Sequence, residues 1–282
     1  MADWKLDQVQ DFSAAQALDA ASWSLETGFF RNREKQYYTP ANVSVGQGFL
    51  RIEGRREAVP NAAYRSGARG WRESQRQSEY TSASLVSRRS FQYGRFEIVA
   101  RGPSGAGTWP AIWLLHESAG QYGEIDVFEA VGKHPDTAFA GVHYGREPQT
   151  RQHRNGSRVV PGLEGRWHVH AVEWTPQRIA VFLDDELLFE FDPAHAAVDG
   201  TDPLRRPMQL RINLALGGTW GGDIDDSRLP ARLDIASIRI WRWEPGAGTA
   251  VTPAVVPAQG PAPDLPAAPA PSEPPPVPRW GR

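Results

Sequence analysis

The chain has 282 residues and no cysteine, which excludes disulfide bridges, zinc sites built on thiolates and a thiol nucleophile. It has no apolar run near the roughly 18 residues that a membrane-spanning helix needs, so we expect no membrane partner. A formal net charge of −2 argues against a nucleic-acid partner, because such proteins carry a broad basic surface. The residues after Met1 lack the charged and apolar regions of a signal peptide.

Proline is concentrated at one end of the chain. The stretch 245–282 holds 12 of the 24 prolines and many alanines. Because proline has no backbone N–H and breaks helices and sheet ladders, this stretch predicts a Pro/Ala-rich disordered tail. Residues 1–244 remain for folding, a length that all-β proteins often use for a single domain.

The folded part is a succession of short strand patterns separated by Gly, Pro, Asn and Ser. Alternating or continuous apolar runs that predict strands are Leu50–Glu53, Gly94–Arg101, Trp167–Trp174, Met208–Leu216 and Leu233–Trp243. Ile179–Leu183 and Glu186–Phe189 flank Asp184-Asp185, which predicts a hairpin with an acidic turn. Only Ser13–Ala21 suggests a helical turn. Many strands with frequent turns favour an all-β sandwich of two antiparallel sheets.

One of these strands is acidic. In Gly123–Ala130, Glu124 and Asp126 share a face because side chains alternate along a strand. Glu129 is an odd number of positions from Glu124, so a regular strand would aim it at the opposite face. One bulged residue near Val127 or Phe128 restores it to the same face, and bulges are frequent beside active sites. Three carboxylates then line one groove.

Crowded carboxylates have a chemical use. Like charges raise one another's pKa, so one carboxyl stays protonated while another ionises. A carboxylic acid beside a carboxylate is what the cleavage of a glycosidic bond requires. A solvated acidic strand and a calcium site are the alternatives, since carboxylate oxygens also suit a hard cation. The interleaved Ile125, Val127 and Phe128 argue against a solvated strand.

Two tryptophans precede the acidic strand. Trp109 and Trp113 follow a glycine-rich loop at an even offset, so both rings can face the same side of a strand. Flat sugar faces pack on such rings, and the indole N–H adds a polar contact. Packing in the core is the competing explanation, but the neighbouring carboxylates favour a sugar-binding surface.

These motifs resemble glycoside hydrolase family sixteen in its laminarinase-like form. Glu124-Ile125-Asp126-Val127-Phe128-Glu129 matches the signature of that family, with its bulge residue. Further segments on both sides of this signature are similar to the family and occur in the family's order. Together they cover roughly Trp23 to Trp241: Glu34-Lys35-Gln36-Tyr37-Tyr38-Thr39 with Asn42, Tyr80-Thr81-Ser82-Ala83, Tyr93-Gly94-Arg95-Phe96-Glu97, Gly107-Thr108-Trp109-Pro110-Ala111-Ile112-Trp113-Leu114, Val142-His143, and Asn213-Leu214-Ala215-Leu216-Gly217-Gly218 with Trp220.

The resemblance implies that 1–244 is a glycoside hydrolase catalytic domain, a β-jelly roll with a concave substrate cleft. It further implies a retaining endo-acting hydrolase of β-glucan, cutting internal β-1,3 or mixed β-1,3-1,4 bonds by double displacement. Glu124 would be the nucleophile, and Glu129 the general acid and later the general base. Asp126 would orient the nucleophile and hold the shared proton. Retention needs the two reacting carboxyls only about 5–5.5 Å apart.

The same resemblance suggests the substrate contacts. Trp109 and Trp113 would form the floor of the subsite next to the scissile bond. His143 would lie near the acid/base, and Asn42 and Trp220 would contact sugars along the cleft. No cofactor would be needed for catalysis. The partner would be a β-glucan polysaccharide, and we expect a monomer that works outside the cell or in the periplasm, where such polymers occur.

The resemblance also suggests a structural calcium ion on the convex face. Asp234 matches the usual ligand position, with backbone oxygens near Asp11 and Gly48. Such an ion would stabilise the fold and take no part in catalysis.

Departures from the family pattern leave the linkage preference open. Ser84 follows Ala83 where relatives often have arginine, and Arg33 precedes Glu34 where they often have asparagine. Between Arg51 and Arg95 there are ten arginines and four glutamates, which keeps an anionic algal-type galactan as an alternative substrate. A transglycosylase would use the same residues. A non-catalytic glucan-binding protein would lack a catalytic glutamate, whereas both are present.

Overall fold

The computed structural model describes residues 4–103, 105–118, 120–146, 151–197, 200–245 and 257. The strands are β1 (Trp4–Asp11), β2 (Trp23–Leu25), β3 (Gln36–Tyr38), β4 (Val43–Gly46), β5 (Phe49–Pro60), β6 (Gln77–Ser82), β7 (Ser84–Phe91), β8 (Gly94–Arg101), β9 (Thr108–Ser118), β10 (Gln121–Glu129), β11 (Thr137–Gly145), β12 (Gln152–Val159), β13 (Trp167–Trp174), β14 (Ile179–Leu183), β15 (Glu186–Phe191), β16 (Met208–Leu216) and β17 (Ala231–Trp243). Short helical segments are α1 (Trp71–Ser74), α2 (Gly218–Gly221) and the 3-10 turns Pro40–Asn42, Pro193–Ala196, Pro203–Arg205 and Asp226–Arg228.

The strands form two sheets. A ten-stranded sheet has the order β15-β14-β13-β8-β17-β5-β6-β3, with β1 added beside β17 and β4 beside β5. A seven-stranded sheet has the order β12-β11-β10-β9-β16-β7-β2. Only β3 and β6 pair in parallel among the described strands. The predicted jelly-roll sandwich of two antiparallel sheets is confirmed.

The core lies between the two sheets, and side-chain alternation decides what enters it. On β8, Phe96, Ile98 and Ala100 are fully buried in the core cluster. On β9 the even-numbered Ile112 and Leu114 are also fully buried in this cluster. The odd-numbered residues of β9 therefore lie on the opposite face of the seven-stranded sheet, where Trp109 and Trp113 were expected.

The sequence predicted most strands and one hairpin correctly, and one helical segment wrongly. The β14–β15 hairpin turns at Asp184 and Asp185, with φ of 51° and 65°, as a two-residue turn with both φ positive requires. Ser13–Ala21 contains no helix. Asp19 there accepts hydrogen bonds from the Ala21 N–H and the Ser22 hydroxyl, local contacts that compete with helix formation.

The last strand, β17, ends at Trp243, one residue before the predicted boundary of the folded domain. The predicted tail 245–282 lies outside the described residues except for Pro245 and Pro257. Within the described part of the chain, no helix has the length and apolar character that crossing a membrane requires.

Candidate active site

A bulge in β10 brings the three carboxylates to one face. Asp126 pairs with Trp113 of β9, but Phe128 pairs with Ile112, so Val127 is one residue too many for the ladder. Val127 and Phe128 both enter the core. Glu129 then stands opposite Ala111, on the same face as Glu124 and Asp126. The bulge predicted near Val127 or Phe128 is confirmed.

These side chains open into a cavity of about 780 Å³ on the outer face of the seven-stranded sheet. It is lined by the acidic residues Glu26, Glu34, Glu117, Glu124, Asp126 and Glu129, the arginines Arg31, Arg72, Arg151 and Arg211, the aromatic residues Phe30, Trp109, Trp113 and Tyr122, and by Asn32, Ala111, Leu115 and Asn213. Five of the predicted site residues therefore share one cavity: Glu124, Asp126, Glu129, Trp109 and Trp113.

Glu129 is placed to be protonated at neutral pH. Desolvation by the surrounding protein is the main cause that raises its pKa, to about 8. The Trp109 indole N–H donates to Glu129 Oε1 at 2.9 Å and opposes that shift, whereas the charges of Glu124 and Glu34 add to it. Burial, then Glu124 and Glu129, also raise the pKa of Asp126. A carboxylic acid available for donation therefore lies beside other carboxyl groups.

His143 lies beneath Glu124 and Asp126. It is the partner of Glu124 across β10 and β11, and its Nε2 is 3.8 Å from Glu124 Oε1 and 3.5 Å from Asp126 Oδ2. Burial lowers the pKa of His143 to about 4, so the ring is neutral at pH 7. Ligand atoms of these three residues lie within 4.8 Å of one another, a spacing that would also admit a cation. These contacts are with the expected nucleophile and Asp126, and the expectation that His143 also lies near the acid/base Glu129 stays a prediction.

The ring of Trp113 is contacted by other polar and charged side chains of the cavity. Its N–H donates to Asn213 Oδ1 at 2.8 Å. The guanidinium carbons of Arg31 and Arg211 lie 5.2 and 5.3 Å from its ring centre. Both arginines also pair with Glu26. The floor at this position is therefore an indole with guanidinium groups packed against it, and a sugar would meet both.

Sequence reasoning missed these two arginines. Arg211 is the partner of Trp113 across β9 and β16, so the alternation within Met208–Leu216 could have placed it on the cleft face. Arg31 belongs to the connection between β2 and β3, where no periodicity exists to indicate its direction.

Glu34 was also missed as a site residue. It lines the cavity although only 3% of the residue is exposed. Its Oε2 accepts hydrogen bonds from Gln36 Nε2 at 2.7 Å and from the Tyr38 hydroxyl at 3.1 Å. Burial raises the pKa of Glu34. Since Asn213 donates to the Tyr38 hydroxyl at 3.1 Å, hydrogen bonds connect Glu34 with Trp113.

Two predicted sugar contacts do not reach the cavity. Asn42 is 1% exposed, and its amide donates to Glu53 O at 2.7 Å and to Thr81 Oγ1 at 3.0 Å, so it joins β5 and β6. Trp220 is buried behind Trp109, with ring centres 5.3 Å apart and nearly perpendicular. These packing contacts correct the expectation that Asn42 and Trp220 touch substrate directly.

The residues of the expected calcium site do not fit a cation. Asp234 Oδ1 accepts from Arg51 Nε at 2.7 Å, and its Oδ2 accepts from Arg101 Nη2 at 2.6 Å. Asp11 Oδ1 accepts from the Ser13 N–H at 2.8 Å, and Gly48 lies against the same turn. Because two guanidinium groups already neutralise Asp234, a calcium ion would have to displace them.

The arginine-rich stretch does not form the cavity wall. Of its ten arginines only Arg72 lines the cavity. Arg51 pairs with Asp234, Arg55 with Glu53, and Arg95 with Glu97 and Glu173. This placement removes the main observation that favoured an anionic polysaccharide.

Comparison with known proteins identifies the family of this chain. A sequence model of the glycosyl hydrolases family 16 matches residues 36–229. The chain belongs to this family. A β-glucanase of Rhodothermus marinus is 38% identical over 263 residues, which cover 85% of this chain and 86% of that protein.

Solved structures of laminarinases share the fold. The laminarinase of Rhodothermus marinus has a TM-score of 0.71 at 38% identity, covering 86% of this chain and 99% of that one. A Zobellia galactanivorans protein in complex with laminaritriose and laminaritetraose has a TM-score of 0.71 at 28% identity, covering 84% of this chain and 98% of that one.

Proposed function

We propose that this family 16 protein is an endo-acting β-glucan hydrolase that cleaves internal β-1,3 bonds, or the β-1,3-1,4 bonds of mixed-linkage chains, with retention of configuration. The observation that carries the proposal is the bulged strand β10, which places Glu124, Asp126 and Glu129 on one face of a single open cavity. The names of its relatives, a β-glucanase and a laminarinase, support the substrate class.

In the first step Glu129 acts as the general acid. Its carboxyl proton passes to the glycosidic oxygen while the Glu124 carboxylate attacks the anomeric carbon and the leaving chain departs. The raised pKa of Glu129 keeps that proton in place at neutral pH. The hydrogen bond from Trp109 holds Oε1 of Glu129 in the cavity wall.

In the second step Glu129 acts as the general base. It removes a proton from water, the water oxygen attacks the anomeric carbon, and the bond to Glu124 breaks so that the electron pair returns to that carboxylate. Asp126 lies between the two glutamates along β10, and its Oδ2 lies 3.5 Å from the same His143 nitrogen that is 3.8 Å from Glu124 Oε1, so it is placed to orient the nucleophile. All proton transfers are supplied by these carboxyls, so the proposal needs no cofactor.

The remaining parts of the proposal concern substrate and setting. A β-glucan polysaccharide is the proposed partner, and the Zobellia galactanivorans protein in complex with laminaritriose and laminaritetraose shares this fold. We propose an extracellular or periplasmic monomer, because the polymer occurs outside the cell and one chain carries the whole cavity. An anionic galactan, a transglycosylase reaction and a binding-only role find no specific support at the site.

The test is the release of reducing ends from laminarin and from mixed-linkage barley-type glucan, measured side by side with the Glu124→Ala variant as control. Cleavage of laminarin identifies a β-1,3-glucanase, and cleavage of the barley-type glucan alone identifies a mixed-linkage enzyme. In both cases the variant should lose nearly all turnover. Inactivity of the wild-type protein on both polymers would overturn the proposal.

A further inference from the structure

A tyrosine hydroxyl lies directly on the proposed nucleophile. Tyr122 precedes Glu124 by two positions on β10, so both side chains face the cavity. The Tyr122 hydroxyl donates a hydrogen bond to Glu124 Oε2. The residue is 7% exposed, and it packs with Ala111, Trp113 and Leu115 of β9.

Arg151 fixes the direction of that hydrogen bond. It stands just before β12, with its guanidinium carbon 3.9 Å from the centre of the Tyr122 ring. Its Nη2 donates to the Tyr122 hydroxyl oxygen and lies 3.6 Å from Glu124 Oε2. Because a guanidinium has donors only, the hydroxyl must accept from Arg151 and give its own hydrogen to Glu124.

The two oxygens of Glu124 therefore have different surroundings. Oε2 meets the Tyr122 hydroxyl and the positive charge of Arg151. Oε1 lies on the side of the neutral His143. Charge-assisted hydrogen bonds of this kind are among the strong ones, and they fix the plane of a carboxylate as well as its charge.

We propose that Tyr122 and Arg151 are positioning residues for the nucleophile, acting through Oε2 of Glu124. They aim the carboxylate at the anomeric carbon in the first step. In the second step, when the bond between that carbon and Glu124 breaks, they stabilise the negative charge that returns to the carboxylate. This inference rests on the proposed function and adds two residues to its machinery.

The first test is the Tyr122→Phe variant, which removes the hydroxyl and keeps the ring. Removing a donor from a developing charge typically costs about a hundred- to a thousandfold in kcat. Because Arg151 remains beside Glu124 in this variant, we expect a smaller fall of about 10- to 100-fold. KM should change less than about threefold, because the hydroxyl contacts the nucleophile and not the sugar. Arg151→Lys should keep more of kcat than Arg151→Met. The lysine ammonium retains the positive charge, although it lacks the planar set of N–H donors of a guanidinium.

The matched control is Tyr144→Phe. Tyr144 is a fully buried tyrosine of the neighbouring strand β11 whose hydroxyl contacts Gln152 and none of the three carboxylates. It should keep wild-type kcat. An equally large fall in kcat in Tyr144→Phe and Tyr122→Phe would overturn the proposal. An equal loss of thermal stability in the two variants, together with such a fall in kcat, would also overturn it.

A double-variant cycle separates action through Glu124 from contact with the sugar. In Glu124→Ala, azide can replace the carboxylate as nucleophile on an aryl β-glycoside with a good leaving group. Adding Tyr122→Phe to that background should cost less than about twofold, because the oxygen through which Tyr122 acts is gone. Persistence of the full loss would overturn the inference. Wild-type turnover by Glu124→Ala alone would instead overturn the proposed function.

Discussion

Glu124, Asp126 and Glu129 lie on one strand, yet each has its own surroundings. Glu129 accepts a hydrogen bond from an indole N–H, Asp126 lies beside the neutral His143, and Glu124 contacts a tyrosine and an arginine. Different environments allow carboxyl side chains to hold different protonation states at one pH. The proposed division of roles follows from these contacts.

Glu129→Ala should distinguish a general acid from a nucleophile. Without the acid, polymer cleavage should fall by about 100-fold or more, a typical loss for general acid catalysis. Aryl glycosides with good leaving groups should still be cleaved in the first step, because such groups depart without a proton. Initial rates on both substrates provide the measurement. An equal loss on both would contradict the assignment of Glu129 as the acid.

Glu34→Gln should shift the pH dependence of kcat/KM. The charge of Glu34 contributes to raising the pKa of Glu129, which is about 8. The first step requires protonated Glu129, so kcat/KM should fall as the pH rises through that value. Removing the Glu34 charge lowers the pKa of Glu129 and should shift this alkaline limb to lower pH.

Glu117→Gln is the control for that measurement. Glu117 also lines the cavity, but it is exposed and is not among the groups that shift Glu129. Its profile should match the wild type. An alkaline limb that stays in place or rises in Glu34→Gln would contradict this account.

At the scale of the elements, strand periodicity explains why so much could be predicted. The period of two placed Glu124 and Asp126 together, and the odd offset of Glu129 required the bulge found at Val127. Contacts made by the segments between strands could not be predicted in this way, because those segments have no regular period. Arg31 and Arg151 reach the cavity from residues outside the strands, so their direction depends on tertiary packing that the local sequence does not encode.

The loop before β9 offers a test of backbone fit. Gly107 has a φ of +84°, and a Cβ there would lie 2.4 Å from Ile224 Cα. Gly120 has a similar φ of +77° with nothing within 4 Å of such a Cβ. Gly120→Ala should cost only the left-handed backbone conformation, about 1–2 kcal/mol. Gly107→Ala should cost about 2 kcal/mol more in the free energy of unfolding, because backbone must move.

Urea unfolding of both glycine variants measures the difference. We also expect Gly107→Ala to lower kcat. Trp109 follows two residues later, and its indole N–H donates a hydrogen bond to Glu129, so a shift of this loop would disturb the proposed acid. Equal unfolding free energies for the two variants would show that the close approach to Ile224 is relieved without cost.

At the scale of the whole molecule, every strand and every cavity residue of the described chain lies before residue 245. A chain that ends at Pro245 should therefore keep its melting temperature within about 2 °C, because a single kcal/mol would shift it by about 2–4 °C in a domain of this size. Its kcat on soluble oligosaccharides should stay within about twofold. A large fall in either quantity would place part of the folded domain beyond residue 245.

The stereochemistry of the product tests the central claim most directly. Proton NMR during cleavage of a β-glucan oligosaccharide shows which anomer of the new reducing end forms first, before mutarotation. Double displacement through Glu124 predicts that the β anomer appears first and the α anomer later. Initial formation of the α anomer would contradict the account, because direct attack by water would then replace attack by Glu124.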